Sequence, residues 1–118
     1  MGGTGELRLV PICFAIDGER IVSAVDHKPK TTTALARLSD IERTGRATLL
    51  VDHYDDDDWS ALWWVRVAGP AVVHAPTDAG AATARLALSE KYPQYREIPP
   101  TGPTFSVTIE SLTWWSAQ

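Results

Sequence analysis

The chain has 118 residues, which fits one domain (1–118) large enough for a modest core. A net charge of −4 argues against a general nucleic-acid-binding protein, because such proteins normally show a broad basic surface. No apolar run approaches the roughly 20 residues that a membrane span needs, and no charged-then-apolar leader opens the chain, so we expect a cytoplasmic protein with no membrane span.

The beginning of the chain predicts a disordered tail followed by a hairpin. Residues 1–6 are glycine-rich, and we expect them to be disordered. Residues 7–16 predict a first strand, in which Pro11 favours an edge or a bulge. Asp17-Gly18 is a strong turn signal, and the β-branched residues 21–25 predict the second strand of the hairpin.

A cationic turn and a helix follow this hairpin. The turn reads D-H-K-P-K-T-T-T over residues 26–33, and its proline rules out an ordinary sheet ladder there. Leu35, Leu38 and Ile41 then recur at helical spacing, and Thr44-Gly45 is typical of a helix end. The next strand is predicted over residues 47–51.

The turn carries the groups that bind a phosphate. Lys28 and Lys30 lie beside the hydroxyls of Thr31, Thr32 and Thr33, at a helix start whose backbone N–H groups have no partner within the helix. From residue 20 to residue 46 there are six basic residues against three acidic ones, a local charge of +3 in an acidic chain. The turn therefore indicates a phosphate site, and the alternative is a solvated helix start with ordinary surface lysines.

Two other features invite a chemical interpretation, and we assign both a structural role. Cys13 lies between apolar neighbours with no base near it in the sequence, so we expect a small core residue rather than a nucleophile. The four aspartates 55–58 follow a histidine, but their spacing does not match a calcium loop. We expect them to form a solvated hairpin tip.

The second half of the chain predicts a long strand, a helix and a final strand. Residues 59–74 read as a strand with a bend at Gly69-Pro70, as occurs where a sheet curls into a barrel. Thr77 or Asp78 is the expected start of the second helix, and Tyr92-Pro93 its end.

The final part of the chain has three predicted features. We expect residues 92–103 to be irregular and to wrap the surface or cover a site. Residues 104–110 alternate as a strand does. Trp114-Trp115 should pack on the barrel or on a neighbouring subunit. Together these elements predict a mostly β fold of about five antiparallel strands and two helices. The strands are expected to close on themselves rather than form an open sheet.

Three stretches together resemble the pyridoxamine-phosphate-oxidase-like superfamily. They are S-A-V-D-H-K-P-K-T-T-T-A-L, A-T-L-L-V-D-H-Y-D-D-D-D-W-S-A-L-W-W-V-R-V-A-G, and K-Y-P-Q-Y-R-E-I-P-P-T-G-P with the strand and tryptophans after it. Within that superfamily the chain is most similar to the actinobacterial branch that uses the deazaflavin coenzyme F-420. The resemblance covers nearly the whole chain from Leu9 onward.

The resemblance implies a split β-barrel that forms a homodimer, with the cofactor between the subunits and a small-molecule substrate. It implies an F-420-dependent oxidoreductase that transfers a hydride between reduced F-420 and a small electron-poor acceptor. The positions that match the family's phosphate-binding residues are Lys28, Lys30, Thr31, Thr32 and Thr33, and Arg37 is a further candidate. No side chain receives a catalytic role and no metal is implied, because the hydride chemistry belongs to the cofactor. Three tryptophans, Trp63, Trp64 and Trp115, could wall the groove or serve in core or dimer packing.

Two alternatives remain open at this stage. FMN presents the same phosphate beside a tricyclic ring, whereas the acidic tail of F-420 would favour further basic residues such as Arg37, Arg43 or Arg66. A module that binds the cofactor without turnover is the second alternative. Family members usually begin with a helix and a strand that are absent before Leu9, where only residues 5–8 remain of a hairpin. We therefore expect an exposed sheet edge.

Overall fold

The strands of this protein pair antiparallel throughout. The computed structural model describes residues 8–25 and 32–118, and only the backbone for residues 32–35. In chain order the elements are β1 (Ala15–Asp17), β2 (Arg20–Ala24), α1 (Thr32–Thr44), β3 (Arg46–His53), β4 (Trp63–His74), α2 (Ala79–Lys91), α3 (Pro93–Glu97), β5 (Thr104–Thr108) and β6 (Ser111–Ser116). The fold is mostly antiparallel β, with a sheet that curls like part of a barrel. No helix in the described ranges is long and apolar enough to cross a membrane.

The long strand β4 joins the two parts of the sheet. The strand order is β1-β2-β5-β4-β3, and β6 also pairs with β4. One edge of β4 pairs with β3 from Trp63 to Pro70. The other edge pairs first with β6, as far as Ala68, and then with β5 from Ala71 onward. The chain therefore leaves β5 and enters β6 beside the middle of β4.

Gly69 lies where β5 gives way to β6, and the close approach of two backbones there requires glycine. A Cβ atom at Gly69 would lie 1.7 Å from the carbonyl oxygen of Thr108, far inside contact distance. The N–H of Glu110 donates to the carbonyl of Ala68, which shifts the pairing register by one residue at this point. The bend predicted at Gly69-Pro70 thus marks the position where one ladder ends and the next begins.

Two apolar clusters lie on opposite faces of the sheet. On one face, Leu38 and Ile41 of α1 pack with Phe105 and Val107 of β5. On the other face, Leu88 and Ala84 of α2 pack against β1 and β2. Since β2 is covered on both faces, all its residues after the first are buried, which accounts for its continuous apolar run.

The turn and helix-end predictions are confirmed. Gly18 in the hairpin turn has φ of 60° and Gly45 after α1 has φ of 68°, both in the left-handed region that favours glycine. The N–H of Gly45 donates to the carbonyl of Ile41 and closes the last turn of α1. Asp78 precedes α2 as predicted, but its carboxylate accepts from the N–H of Ala75 instead of capping the helix.

Four boundaries differ from the sequence prediction. The predicted strand over residues 7–16 is wrong before Ala15, because residues 8–14 have no strand partner in the described part of the chain. Residues 59–61 form a short 3-10 turn instead of the start of β4. The predicted irregular segment contains α3, which Pro93 begins. The two final tryptophans belong to a strand, β6, that the sequence analysis did not predict.

Candidate functional site

A groove of about 710 Å³ lies between α1, the irregular segment 8–14 and the inner face of β3 and β4. We call it the central groove. Its walls are mostly apolar, and the side chains that form them include Ile12, Phe14, Ile21, Ile41, Leu49, Val51, Val65, Val67 and Phe105. A groove of this volume with apolar walls and few polar groups has the usual properties of a small-molecule site.

Arg37 is the groove residue whose surroundings indicate a bound ligand. It lies on α1 and contributes to the groove wall. Its Nε atom is buried and has no hydrogen-bond partner within the described structure. A buried guanidinium N–H without an acceptor is costly, whereas an acceptor carried by a bound molecule would satisfy it.

Three of the other charged side chains that line the groove, Arg8, Asp40 and Arg46, are held in ion pairs, and the fourth, Asp52, is exposed. The Asp40 carboxylate accepts from the Nε of Arg8 at 2.6 Å and from Arg43 at 3.2 Å. The hydrogen bond from Arg8, supported by the charge of Arg43, holds the pKa of Asp40 below its ordinary value of 3.8. Arg46 pairs with Glu110, and that pairing lowers the pKa of the Glu110 carboxyl. Among the described residues there is no ion pair to Arg37, in contrast to Arg8, Arg43 and Arg46.

The Arg8–Asp40 contact makes a testable prediction about acid titration. Because the folded pKa of Asp40 is depressed, its ionised form stabilises the fold above about pH 4, and this contribution is lost as the pH falls through the folded pKa. We expect Arg8→Ala to raise the pKa of Asp40 toward 3.8, as measured by NMR titration of the side-chain carboxyl. Arg46→Ala is the control and should leave the Asp40 titration unchanged. Because Arg43 remains beside Asp40, part of the depression should persist; an Asp40 pKa as low in Arg8→Ala as in the wild type would contradict the assigned cause.

The irregular segment that borders the groove is fixed at Phe14. The hydroxyl of Tyr92 accepts from the N–H of Phe14 and donates to its carbonyl, at 3.1 and 2.9 Å. The ammonium group of Lys91 donates to the same carbonyl at 2.7 Å and lies 3.7 Å from the centre of the Phe14 ring. These contacts hold one wall of the groove to the end of α2, and they join residues that are far apart in the chain.

A second, smaller pocket of about 310 Å³ lies where β3 ends and β4 begins. Its aromatic wall contains Trp63, Trp64, Trp115 and Tyr54. The Arg66 guanidinium lies 5.5 Å from the centre of a Trp64 ring, within range of a cation–π contact. The three tryptophans proposed from the sequence therefore meet in this pocket, and none of them is among the residues that line the central groove.

The described residues include only part of the predicted phosphate site. Lys28, Lys30 and Thr31 lie outside the described residues, between the end of β2 and the start of α1. Thr32 and Thr33 form the first turn of α1, and their side chains are not described. Arg37, little more than one turn further along α1, is at the central groove as described above.

Local sequence patterns do not predict the Arg8–Asp40 pair or the contribution of Phe105 to the groove. The two charged residues are 32 positions apart, and Phe105 lies almost at the end of the chain. No local pattern marks such contacts, because strand order and helix packing bring the residues together. Helical spacing could have placed Arg37 and Ile41 on one face of α1, since they are four residues apart.

Comparison with known proteins identifies the fold. No protein-family model matches the sequence, and no curated protein matches it significantly. Among solved structures, the chain is similar to the conserved hypothetical protein Rv2991 from Mycobacterium tuberculosis, with a TM-score of 0.68 and 16% sequence identity. The match covers 97% of this chain and 71% of that one. The likeness shows a shared fold.

Proposed function

We propose that this chain is a split β-barrel oxidoreductase that acts as a homodimer and uses the deazaflavin coenzyme F-420. The proposal starts from the three sequence stretches that resemble that branch of the pyridoxamine-phosphate-oxidase-like superfamily. The observation that carries it in the structure is the central groove with the unpartnered Nε of Arg37 in its wall. The helix that bears Arg37 is the one that the lysine-containing turn precedes.

The residues present fit such a cofactor. A flat, partly apolar ring system needs apolar walls, and the central groove provides them in a volume of about 710 Å³. An anionic tail needs cations, and Lys28, Lys30 and Arg37 lie within one short stretch of the chain. Thr31, Thr32 and Thr33 supply hydroxyl donors beside them, and backbone N–H groups at the start of α1 add further donors.

In this proposal, the protein's own residues bind the cofactor, orient it and exclude water from it. Lys28 and Lys30 pair with the phosphate, and the threonine hydroxyls fix its orientation. Arg37 donates its buried N–H to an acceptor on the bound molecule, which satisfies a group that has no acceptor among the described residues. The apolar walls, formed from α1, β3 and β4, keep water from the reacting atoms. Reduced F-420, when bound, supplies the hydride to an electron-poor double bond of a small substrate.

The first prediction for this site concerns the two lysines. We expect Lys28→Ala with Lys30→Ala to weaken F-420 binding on the order of 100-fold, because two charge-assisted contacts to phosphate are lost. Fluorescence titration of the purified protein with F-420 measures the effect, and circular dichroism should show an unchanged fold. Affinity that falls as salt is raised in the wild type, and falls less in the variant, would support an ionic contact.

The control removes two positive charges elsewhere in the molecule. Arg85→Ala with Arg96→Ala changes the net charge equally, at residues of α2 and α3 that do not line the central groove. It should leave the affinity within about twofold of wild type, since distant exposed charges are screened. Equal losses in the two double variants would show a general charge effect and would remove the lysine turn as the phosphate site. Arg37→Met then tests the groove itself, and unchanged affinity there would remove Arg37 from the site.

Parallel titrations separate the proposed cofactor from its rivals. Binding of F-420 alone supports the deazaflavin branch, and binding of FMN alone moves the protein to the flavin branch. If F-420 binds, oxidation of the reduced cofactor over a panel of enones and quinones tests turnover. Binding without turnover of any acceptor would favour the non-catalytic module.

A further inference from the structure

Aromatic side chains are exposed in the second pocket, where β3 ends and β4 begins. We call it the aromatic pocket, after Tyr54, Trp63, Trp64 and Trp115 in its wall. Trp63 is 39% exposed and Trp115 is 45% exposed. Large aromatic side chains stabilise a protein most when they are covered, so a cluster of exposed ones indicates a contact surface. The volume of about 310 Å³ is at the lower end of the range for small-molecule sites.

Strand pairing sets a carboxylate beside the indole rings of this pocket. Asp52 of β3 is the cross-strand partner of Trp64 in β4, and Trp64 is in turn the partner of Trp115 in β6. Because cross-strand partners carry their side chains on the same face of a sheet, these three residues form one row across three strands. No salt bridge to Asp52 occurs in the described part of the chain. The aromatic pocket therefore combines ring faces with a negative charge.

One indole of the pocket already takes part in a cation–π contact. Arg66 lies two residues beyond Trp64 in β4, on the same face, and its guanidinium carbon is 5.5 Å from the centre of a Trp64 ring. On the other side, the rings of His53 and Trp63 are stacked, with centres 6.2 Å apart and planes inclined by 19°. Among the described residues no ring or cation contact involves Trp115, so its indole face is open to a ligand.

The charge around the aromatic pocket favours a cation as that ligand. Residues 52–66 include five aspartates and one arginine, a local charge of −4. The four aspartates 55–58 follow Tyr54 and precede Leu62, both of which line the pocket, so these carboxylates lie close to it. A concentration of like charges attracts ions of the opposite sign and repels ions of the same sign. Arg66 alone would attract an anion, but it is outnumbered.

The chemistry of the wall indicates which kind of cation fits. A primary ammonium group carries three N–H donors, and each needs an acceptor when it is buried. A quaternary ammonium group has no N–H donor, and its methyl groups pack against ring faces. Leu50 and Leu62 lie beside the rings of the aromatic pocket, and Asp52 supplies the carboxylate. A wall of rings and aliphatic groups therefore suits the quaternary ion better.

We propose that the aromatic pocket binds a small quaternary ammonium ion. The cation lies against the indole faces of Trp63 and Trp115, with the Asp52 carboxylate beside it. Because Leu50 and Asp52 line both cavities, the bound cation is next to the central groove. Binding is measured on the protein without F-420, so the result is independent of the proposed oxidoreductase function.

NMR titration of the full chain with choline at constant ionic strength tests the proposal. The indole N–H signals of the five tryptophans are assigned from single tryptophan-to-phenylalanine variants. Choline should give saturable shifts of the Trp63, Trp64 and Trp115 signals. Trp59 and Trp114 do not line the pocket and are 66% and 68% exposed, so non-specific contact with indoles would shift their signals as well. Equal shifts at all five tryptophans, or no saturable shift in the pocket, would overturn the proposal.

A neutral isostere separates the effect of charge from that of shape. Replacing the nitrogen of choline with carbon gives an uncharged alcohol of the same shape. We expect it to bind at least about tenfold more weakly, because it lacks the attraction to the ring faces and to the carboxylate. Equal affinities would show a merely apolar site and would refute the assignment of a cation.

Two charge changes have opposite expected effects on choline binding. Asp52→Asn removes the carboxylate with little change of shape, and we expect binding to weaken about threefold or more. Arg66→Met removes a like charge and frees the Trp64 ring, so binding should strengthen about threefold. Glu90→Gln changes the net charge as Asp52→Asn does, at an exposed position of α2, and should leave the affinity unchanged. Weaker binding in Arg66→Met would contradict the proposal and indicate an anionic ligand.

Loss of one ring tests the wall itself. Trp115→Leu should weaken choline binding about tenfold, because an indole face is removed. Trp114→Leu is the matched control, since Trp114 is the next residue in β6 and its side chain lies on the opposite face. Circular dichroism must show the wild-type fold in both variants, and if Trp115→Leu does not fold, the Asp52→Asn and Arg66→Met measurements decide the outcome. Equal effects of the two tryptophan variants would remove the pocket as the binding site.

Discussion

Replacing Gly69 with alanine is expected to destabilise the protein by about 3 kcal/mol or more. This is a large part of the free energy of unfolding of a typical domain, which is about 5–15 kcal/mol. The new methyl carbon is bonded directly to the backbone of β4 and would lie 1.7 Å from the backbone carbonyl oxygen of Thr108 at the end of β5. Neither backbone can move away without breaking ladder hydrogen bonds, since β4 pairs with β3 at Gly69 and with β6 and β5 on either side of it. Urea unfolding followed by circular dichroism measures the loss.

The control for Gly69→Ala is a glycine with open space around it. A Cβ at Gly18 would meet nothing within 4 Å, so Gly18→Asn tests glycine replacement without a backbone clash. Asparagine tolerates the left-handed conformation of that turn, and we expect a cost below about 1 kcal/mol. If Gly69→Ala were as mild as Gly18→Asn, the close approach of β5 and β4 would be wrong.

Leu88→Ala is expected to cost about 3 kcal/mol or more. Leu88 is fully buried, and its neighbours in the cluster beneath α2 include Ala15, Ala24 and Ala84. Those small residues let the helix lie close to the sheet, and they leave few other large side chains to fill the space. Removing the leucine side chain would therefore create a cavity that rigid strand backbones cannot close.

Leu86 provides the matched control for Leu88 on the same helix. Its side chain is 64% exposed, so Leu86→Ala removes the same atoms from a surface position. We expect a change within about 0.5 kcal/mol. Both variants are compared with wild type by thermal and urea unfolding. Similar losses at the two positions would mean that α2 presents a different face to the sheet.

Local signals in the sequence predict the elements whose ends are chemically marked. The hairpin turn at Gly18 and the end of α1 at Gly45 follow from glycine in a backbone conformation that other residues avoid. The apolar spacing of Leu38 and Ile41 predicts the buried face of α1. These features depend on residues a few positions apart, and they are therefore readable from the sequence.

The mispredicted elements depend on distant partners. The residues from Leu9 onward have strand-forming side chains, yet Leu9 is 95% exposed and no strand pairs with it in the described part of the chain. In contrast, β6 has an exposed, tryptophan-containing sequence and becomes a strand because β4 pairs with it. A β propensity measures fit to a pleated surface, so the neighbouring strand decides the outcome.

The candidate site also has one part that local sequence predicts and one part that depends on residues far apart in the chain. The lysines and threonines of the turn are adjacent in sequence, and their charge and hydroxyl content can be seen directly. The walls of the central groove come from α1, β3, β4 and β5, and the unpartnered Nε of Arg37 becomes evident only when those elements are packed together. The phosphate site is thus a sequence prediction, whereas the groove is a structural finding.

The position of β6 has a consequence for synthesis on the ribosome. The first half of β4 lies near the middle of the chain, and in the described part of the chain one of its edges is paired only by residues 111–116. Until those residues have left the ribosome, the tryptophan-bearing half of β4 has an open edge while β3 already covers the other. Nascent chains halted before residue 111 should therefore bind chaperones more readily than chains that include β6.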